Sequence, residues 1–466
     1  MKDKKSRAPA SVENIYKLDG RVPVAKAIPF GLQHVLAMFV ANVTPVMLIA
    51  GVAQYNGVAF TAIDTALLIQ AAMLIAGIGT LIQLYPVWRI GSRLPVVMGL
   101  SFTFLSAMMT LAARDYGLMV GAVIVGGCIE GLLGLTAKYW RRFVSPIVSA
   151  CVVTSIGFSL LSTGISSFAS SSVYPTGAWQ NLLVAVITLA ACLIYNSLAK
   201  GFWKQLYVLF GLIAGYIVSL FFGMVDFASM KNTVQELGIV ALPKLFAYTP
   251  KFDLGAIVSV TLVFLVSAAE TIGDTSAVCT GGLGREITEK EVSGSLGCDG
   301  FISAISGGVF GCPPITSFSQ NVGLVAMTKV VNRFTILFGA LTLIIAGLFP
   351  PVGAFFSTLP DCVLGGCTVI MFGAIIVSGV TMLGECGFDR RNTIIAATSF
   401  AIGIGVTQVP AFFSGMPQIV SDIFANNPVA GVFVVAMVLS LALPKKVKPE
   451  NVDALTEETM ESKKPE

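Results

Sequence analysis

The chain has 466 residues, of which 55% are hydrophobic and only 12% are charged, and its formal net charge is +4. A soluble domain carries about 25% charged residues, so this composition excludes an ordinary soluble globular protein. The apolar runs 118–135 and 393–409 come close to the ~20 residues with which a helix crosses a ~30 Å bilayer core. The sequence therefore predicts an all-α protein that crosses a membrane many times.

Short polar segments divide the apolar sequence into fourteen predicted membrane spans. The third and the tenth are short and interrupted. In chain order the spans are 27–52, 65–85, 94–108, 117–137, 143–165, 179–198, 203–223, 254–277, 293–310, 315–328, 334–350, 362–384, 393–410 and 428–444.

The distribution of basic residues tests this count independently. If the N-terminus is cytoplasmic, the segments assigned to the inside hold 25 of the 29 Lys and Arg, as the positive-inside rule requires. Removing either short span would invert every later loop. We therefore expect both termini in the cytoplasm, a multi-pass protein of the cell inner membrane, and no cleaved signal peptide in the basic first 26 residues. The exceptions are Arg114, Lys231, Lys244 and Lys251.

The cysteines and histidine give no sign of a metal site or disulfide framework. The nine cysteines have no regular spacing, several lie inside apolar runs, and the chain has one histidine. The cysteines are typical of packing residues in helices. We expect no metal, no cofactor and no enzymatic activity.

Two similar halves of seven spans must lie in opposite orientations across the membrane. The third span opens at Pro95 and the tenth at Pro314, and each loses its apolar continuity within a few residues. Paired interrupted segments of this kind predict a substrate site at the interface of inverted repeats.

Ionisable residues at membrane depth are the main candidates for function, because each costs ~2.5–3.5 kcal/mol on insertion scales. Glu270 and Asp274 lie one helical turn apart in the eighth span, after a stretch without charge. Glu270 is best explained by function, whereas Asp274 and Asp299 fit function and structural bracing equally. His34 fits a packing role better than proton transfer, and Glu130 is interpreted as structural or interfacial.

Two properties of these polar residues favour a proton-driven carrier of a flat heterocycle. A low-dielectric site favours the protonated form of Glu270, and an ionised Asp274 would act in the same direction. The side-chain amide of Gln320 offers one acceptor and two donors, which suits a ring with alternating C=O and N–H edges. Phe102, in the matching broken span, is placed to stack on such a ring.

Three motifs carry a resemblance to a known family. The stretch QNVGLVAMTK at 320–329 matches the signature Q/E/P-N-x-G-x-x-x-x-T-R/K/G, and Gln33-His34 and ETIGD at 270–274 look like two further hallmarks. The chain resembles the nucleobase–ascorbate transporters over 27–444. Similarity implies proton-coupled uptake of a nucleobase, without nucleic-acid partners, by a homodimer formed through its gate domains.

The resemblance also implies a 7+7 inverted-repeat fold with half-helices in spans 3 and 10. The core domain would comprise 27–138 and 253–350 (spans 1–4 and 8–11). The gate domain would comprise 139–252 and 351–444 (spans 5–7 and 12–14). Cytoplasmic tails would cover 1–26 and 445–466.

Residue roles follow from the resemblance by position. Substrate contacts are implied for Glu270, Gln320, Phe102, Ser101, Phe318 and Ser319. Proton coupling or site support is implied for Asp274, Asp299, Asn321, His34, Gly323 and Thr328.

Gln320 favours a purine, because uracil carriers of the family typically have Glu at this position. The motifs point to xanthine or urate, and Ser101 leaves that choice open. The alternatives are a uracil or broad nucleobase permease and, with less support, an anion transporter of the same architecture.

Overall fold

The computed structural model describes residues 11–140 and 145–444. The predicted tail 1–26 lies partly outside the described residues. The predicted tail 445–466 and the basic pair Arg141 and Arg142 lie wholly outside them.

Helices dominate the described residues. In the first half they are α1 (Val24–Ala50), α2 (Ala62–Leu84), α3 (Leu105–Arg114), α4 (Tyr116–Leu135), α5 (Ala137–Trp140), α6 (Pro146–Phe168), α7 (Trp179–Leu198), α8 (Tyr207–Phe221) and α9 (Phe227–Leu237). In the second half they are α10 (Leu254–Ala277), α11 (Glu289–Phe310), α12 (Ser319–Thr328), α13 (Arg333–Gly347), α14 (Pro350–Phe356), α15 (Asp361–Cys386), α16 (Arg390–Gly403), α17 (Gln418–Phe424) and α18 (Pro428–Ala442). Short 3-10 helices occupy Val12–Tyr16, Phe102–Phe104, Gly201–Leu206, Gly405–Gln408 and Pro410–Phe413, and a π-helical turn occupies Val278–Leu283.

Eight helices of the described chain are long and apolar enough to cross a membrane, and two bent helix pairs bring the number to ten. The pairs are α13 with α14, bent by 80°, and α17 with α18, bent by 96°. This confirms the predicted class of a multi-pass helical membrane protein. The total of fourteen spans stays a prediction.

The two interrupted spans meet each other in the interior. Each consists of a three-residue strand followed by a ten-residue helix: β3 (Met98–Leu100) precedes α3 and β4 (Ile315–Ser317) precedes α12. A separate short hairpin, β1 (Gln54–Tyr55) with β2 (Val58–Ala59), follows α1. Strands β3 and β4 pair antiparallel, with Gly99 opposite Thr316. The sequence predicts the interruptions but not the strands.

Neighbouring helices satisfy the remaining donors of β3. The N–H of Met98 donates to Thr80 Oγ1 at 3.0 Å, and the N–H of Leu100 donates to Asn42 Oδ1 at 2.8 Å. A Cβ on Gly99 would lie 2.8 Å from the Met38 side chain, so only glycine fits here without displacing a neighbour. Extended backbone at this depth is therefore stabilised by protein partners rather than by water.

A close contact between α4 and α11 fixes the helix that packs behind the ladder. A Cβ on Gly300 would lie 2.1 Å from the backbone nitrogen of Gly131, and one on Gly127 would lie 2.7 Å from the carbonyl oxygen of Gly300. Small residues at helix interfaces allow such backbone approach in membranes. The contact holds Asp299, the neighbour of Gly300, against β4.

The segment that precedes α1 is fastened to the link between α12 and α13. The Asn332 side-chain nitrogen donates to three carbonyl oxygens of this segment, those of Asn14, Lys17 and Gly20, at 2.9–3.1 Å. The Arg333 guanidinium forms an ion pair with Asp19. The C-terminal end of α12 is thereby anchored.

Candidate functional site

A cavity of about 280 Å³ lies where the broken spans meet. It is bounded on one side by α1, α10 and the ends of β3 and β4, and on the other by α6, α8 and α15. The structure brings together all six residues that were predicted to contact substrate. They are Ser101, Phe102, Glu270, Phe318, Ser319 and Gln320.

Glu270 reaches the cavity from α10 and is held by two hydroxyl groups. Thr103 Oγ1 donates to its Oε2 at 2.6 Å, and Ser319 Oγ lies 3.3 Å from its Oε1. The Thr103 backbone N–H in turn donates to Ser101 Oγ at 3.3 Å. Sequence reasoning missed Thr103, whose one signal was its place two residues after Ser101 in the broken span.

Ser319 stands between two carboxyl groups. Its Oγ lies 2.9 Å from Asp274 Oδ2 and 3.3 Å from Glu270 Oε1. A hydroxyl group has a single proton, so it donates to one carboxyl at a time. When it donates to Asp274, its oxygen is free to accept from a protonated Glu270. This arrangement links the two carboxyl groups through one rotating hydroxyl.

Asp274 and Asp299 do not line the cavity but continue the hydrogen-bond network behind it. Ser317 Oγ donates to Asp274 Oδ2 at 3.0 Å. Asp299, fully buried, accepts from Thr271 Oγ1 at 2.5 Å and from the backbone N–H of Ser317 at 3.1 Å. Asp299 therefore fixes the β4 backbone directly, which assigns it a positioning role.

Gln83 completes the environment of Asp299 and was not predicted. Its Nε2 donates to Asp299 Oδ1 at 3.2 Å and to Ser295 Oγ at 3.0 Å, while its Oε1 accepts from the N–H of Ser92 at 2.9 Å. The sequence signal that could have identified Gln83 is a glutamine within an apolar helix.

The Gln320 side chain faces the cavity and makes no hydrogen bond to any described residue, so its amide is available to a ligand. Phe102 packs edge-on against Phe372 of α15, with ring centroids 5.7 Å apart. Phe318 is buried beside β4. The contact between Phe102 and Phe372 therefore joins the two walls of the cavity.

His34 and Asn321 lie next to each other behind the cavity wall. Both are buried, and His34 Nδ1 and both amide atoms of Asn321 lack a hydrogen bond of good geometry to the described residues. The structure thus keeps this pair out of the cavity.

Gly323 and Thr328 lie further along α12, away from the cavity. A Cβ on Gly323 would meet no described atom within 4 Å. Thr328 Oγ1 donates to the Leu324 carbonyl at 2.8 Å and accepts from the Val330 N–H at 3.3 Å, so it ends the helix.

Of the two interpretations of Glu130, structural or interfacial, its position fits the structural one. It is 1% exposed, and neither carboxyl oxygen has a hydrogen-bond partner among the described residues. Its electrostatic neighbours are Asp299 and Glu270. Burial in the helix packing, rather than a position at the membrane surface, is the correct description.

The structure places a cavity with a few polar groups among apolar membrane helices, and comparison with known proteins gives the class and the family. The sequence model of the Permease family matches residues 25–412. The chain belongs to this family, that of the nucleobase–ascorbate transporters, whose members are transporters and not enzymes.

Similar curated proteins cover almost the whole chain. Xanthine permease XanQ of Escherichia coli (strain K12) is 32% identical over 460 residues, which cover 95% of this chain and 96% of XanQ. Xanthine permease XanP of the same strain is 31% identical over 458 residues, covering 93% and 95%. The xanthine permease of Bacillus subtilis (strain 168) is 32% identical over 422 residues, covering 89% and 93%.

Solved structures share the fold at low identity. The transmembrane domain of the cyanobacterial bicarbonate transporter BicA has a TM-score of 0.51 and 14% identity, covering 90% of this chain and 98% of its own. The murine Solute Carrier 26 family member A9 anion transporter, in the inward-facing state, has a TM-score of 0.61 and 12% identity, covering 97% and 76%. These likenesses concern the fold alone.

Proposed function

We propose that this permease takes up a purine base, xanthine or urate, together with a proton across the cell inner membrane. The observation that carries the proposal is the pairing of Glu270 with the unengaged amide of Gln320 in one cavity. The names of the relatives, xanthine permeases, support the substrate class.

The cavity suits a small planar ligand. Its volume of about 280 Å³ is near the lower end of the roughly 300–1,000 Å³ found for small-molecule sites. A protonated Glu270 both donates and accepts, and Gln320 supplies two donors and one acceptor. Phe102 and Phe318 provide the apolar faces. Ser101 also lines the cavity. Its identity does not decide between xanthine and urate, so both remain candidates.

Coupling to protons follows from the carboxyl groups around Ser319. A loaded site with a protonated Glu270 is less costly to move through a low-dielectric region than one with a carboxylate. After the base leaves, Glu270 releases its proton on the cytoplasmic side. Asp274 supports this exchange through the shared hydroxyl group, and Asp299 holds β4 in place.

The cavity walls suggest how access alternates. One wall comes from the predicted core domain and the other from α6, α8 and α15 of the predicted gate domain. We propose that the two domains of a fourteen-span, 7+7 inverted repeat move against each other around the bound base. Both termini would be cytoplasmic, and the gate domains would form a homodimer.

Uptake into proteoliposomes tests the function. An inward proton gradient is expected to drive accumulation of radiolabelled xanthine, and collapsing the gradient with a protonophore is expected to release it. Unlabelled xanthine and urate should compete more strongly than hypoxanthine, guanine or uracil. Accumulation of xanthine that does not depend on the proton gradient would refute proton coupling. Stronger competition by uracil than by the purines would refute the purine assignment.

Replacing Gln320 by Glu is expected to weaken purine uptake by about tenfold or more. The substitution removes two amide donors, and a mismatched buried hydrogen bond costs ~1–3 kcal/mol. Initial rates and the competition panel measure the effect. Gln54→Glu, the same change at an exposed position of β1, is the matched control and should leave uptake unchanged. An unaltered competition profile for Gln320→Glu would remove this residue from substrate selection.

A further inference from the structure

A second cavity, of about 320 Å³, lies at another part of the boundary between the predicted core and gate domains. Its core side comes from α3 and α10, and its gate side from α17 and the turn that leads into α18. Most of its lining is polar. In the predicted topology it faces the outside, because Arg114 at its rim is one of the four basic residues assigned there.

An ion pair spans the rim of this cavity. Arg114 Nη1 of α3 lies 3.3 Å from Asp422 Oδ1 of α17. Gln418, one turn earlier in α17, donates to the same oxygen at 3.1 Å. The Arg114 side chain is 46% exposed and that of Asp422 16%, so the pair is accessible to water on one side.

Further hydrogen bonds join the two sides below the ion pair. Ser106 Oγ donates to the carbonyl oxygen of Asn426 at 3.3 Å. Asn427 Nδ2 donates to Ser259 Oγ at 2.9 Å, and Ser259 Oγ donates to the carbonyl oxygen of Ile423 at 3.4 Å. Two of the three are long, and every partner is a group that water can replace. This seam is therefore closed by polar contacts, of which the ion pair and the Ser106 hydrogen bond are exposed and those of Ser259 are buried.

The gate side of the seam includes a short helix that a sharp turn separates from the rest of its domain. Helix α17 has seven residues and meets α18 at 96°. The turn between them is defined by Asn427, whose Oδ1 accepts from the N–H of Ala430, and by Pro428 at the start of α18. The turn separates α17, which packs against α10 on the core side, from α18, which packs against α6 and α16. A turn between two elements is a position where a hinge can form.

The substrate cavity is bounded at its other end by a different segment. Two residues of this segment line it: Gln205, in the 3-10 helix Gly201–Leu206, and Tyr207, the first residue of α8. This part of the chain follows Lys200 and Lys204, which the predicted topology places in the cytoplasm. In the described conformation the outer seam is closed, and the segment that follows the predicted cytoplasmic Lys200 and Lys204 contributes to the wall of the substrate cavity.

We propose that α17 and the Arg114–Asp422 ion pair form the extracellular gate, which opens to admit the base. The inference rests on the proposed function and topology. It adds Arg114 and Asp422 as residues that control access without touching the bound base. Opening requires that the ion pair, the Ser106–Asn426 contact and the hydrogen bond from Ser259 to Ile423 separate together.

Thiol labelling measures how often the proposed gate opens when no substrate is present. Ala107, buried at the base of this cavity, is replaced by Cys, and intact cells are treated with a membrane-impermeant maleimide, with the chain lacking this substitution as background. Adding Asp422→Asn is expected to raise the labelling rate about two- to fivefold, because an exposed ion pair contributes modestly. Arg114→Asp should raise it likewise, and Arg114→Asp with Asp422→Arg should restore the slow rate.

A second ion pair on the same side provides the matched control. Lys251 Nζ lies 2.6 Å from Asp115 Oδ2, with side-chain exposures of 43% and 15%, but neither residue lines the second cavity or contacts α17 through this pair. Asp115→Asn should therefore leave the labelling rate unchanged. Equal labelling of the Asp422→Asn and unsubstituted chains, or an equal rise with Asp115→Asn, would overturn the proposal.

Cross-linking keeps the test independent of how well the charge variants fold. A chain with Arg114→Cys and Asp422→Cys, bridged by a short bifunctional thiol reagent, is expected to lose uptake, whereas either single variant should retain it after the same treatment. Full uptake by the bridged protein would overturn the gate. Xanthine binding to the purified unsubstituted protein is measured in parallel, and its absence would refute the proposed function while leaving the labelling result intact.

Discussion

Glu270→Gln is expected to reduce proton-driven accumulation of xanthine to the level of empty vesicles. Glutamine preserves the shape and the neutral hydrogen bonding of a protonated carboxyl group, and Thr103 can still donate to its oxygen. It cannot release a proton, so the energy of the gradient is no longer coupled to the base. Radiolabel accumulation under an inward proton gradient measures the effect.

Exchange separates loss of coupling from loss of binding. Vesicles preloaded with unlabelled xanthine should still exchange it for labelled xanthine through the Glu270→Gln variant, because exchange needs no net proton movement. Glu236→Gln, the same change at an exposed position of α9, should behave like the unsubstituted protein. Normal gradient-driven accumulation by Glu270→Gln would remove Glu270 from the mechanism.

Asp299→Ala is expected to have the largest effect on stability. It removes the acceptor of two buried donors, Thr271 Oγ1 and the Ser317 N–H, whereas Gln83 Nε2 keeps its hydrogen bond to Ser295 Oγ. Each unsatisfied donor costs ~1–3 kcal/mol, so a loss of about 2 kcal/mol or more is expected. The thermal unfolding midpoint of the purified protein in detergent measures it, together with xanthine binding.

Asp274→Asn is the contrasting variant for this experiment. The partners of Asp274 are the Ser317 and Ser319 hydroxyl groups, which can rotate to an amide oxygen, whereas a backbone N–H cannot. Its unfolding midpoint should stay close to that of the unsubstituted chain. An Asp299→Ala protein as stable as Asp274→Asn would show that Asp299 does not anchor β4.

The sequence predicted the helical membrane architecture because long apolar runs have a direct physical cause in the bilayer thickness. It did not predict the strand pair β3–β4, since three residues are too few to show an alternating pattern. Pro95 and Pro314 marked the interruptions only. The structure shows what fills them: paired backbone, with donors also satisfied by Asn42 and Thr80.

The sequence pointed to candidate site residues where a residue type is costly at membrane depth. Glu270 and Gln320 were identified for that reason, and both line the cavity. Thr103 was missed because hydroxyl residues are common in membrane helices and bond to their own backbone without special function. Gly323, taken from the family motif, faces open space, so no steric need for glycine is seen there.

The pairing of β3 with β4 has a consequence for biogenesis. The two strands belong to opposite halves of the polypeptide, so β3 enters the bilayer long before its partner has been translated. Until then its backbone groups lack their acceptors and donors, at several kcal/mol for each unsatisfied group in hydrocarbon. The binding site is therefore assembled late, and a chain truncated before β4 is expected to be a substrate for membrane quality-control proteases.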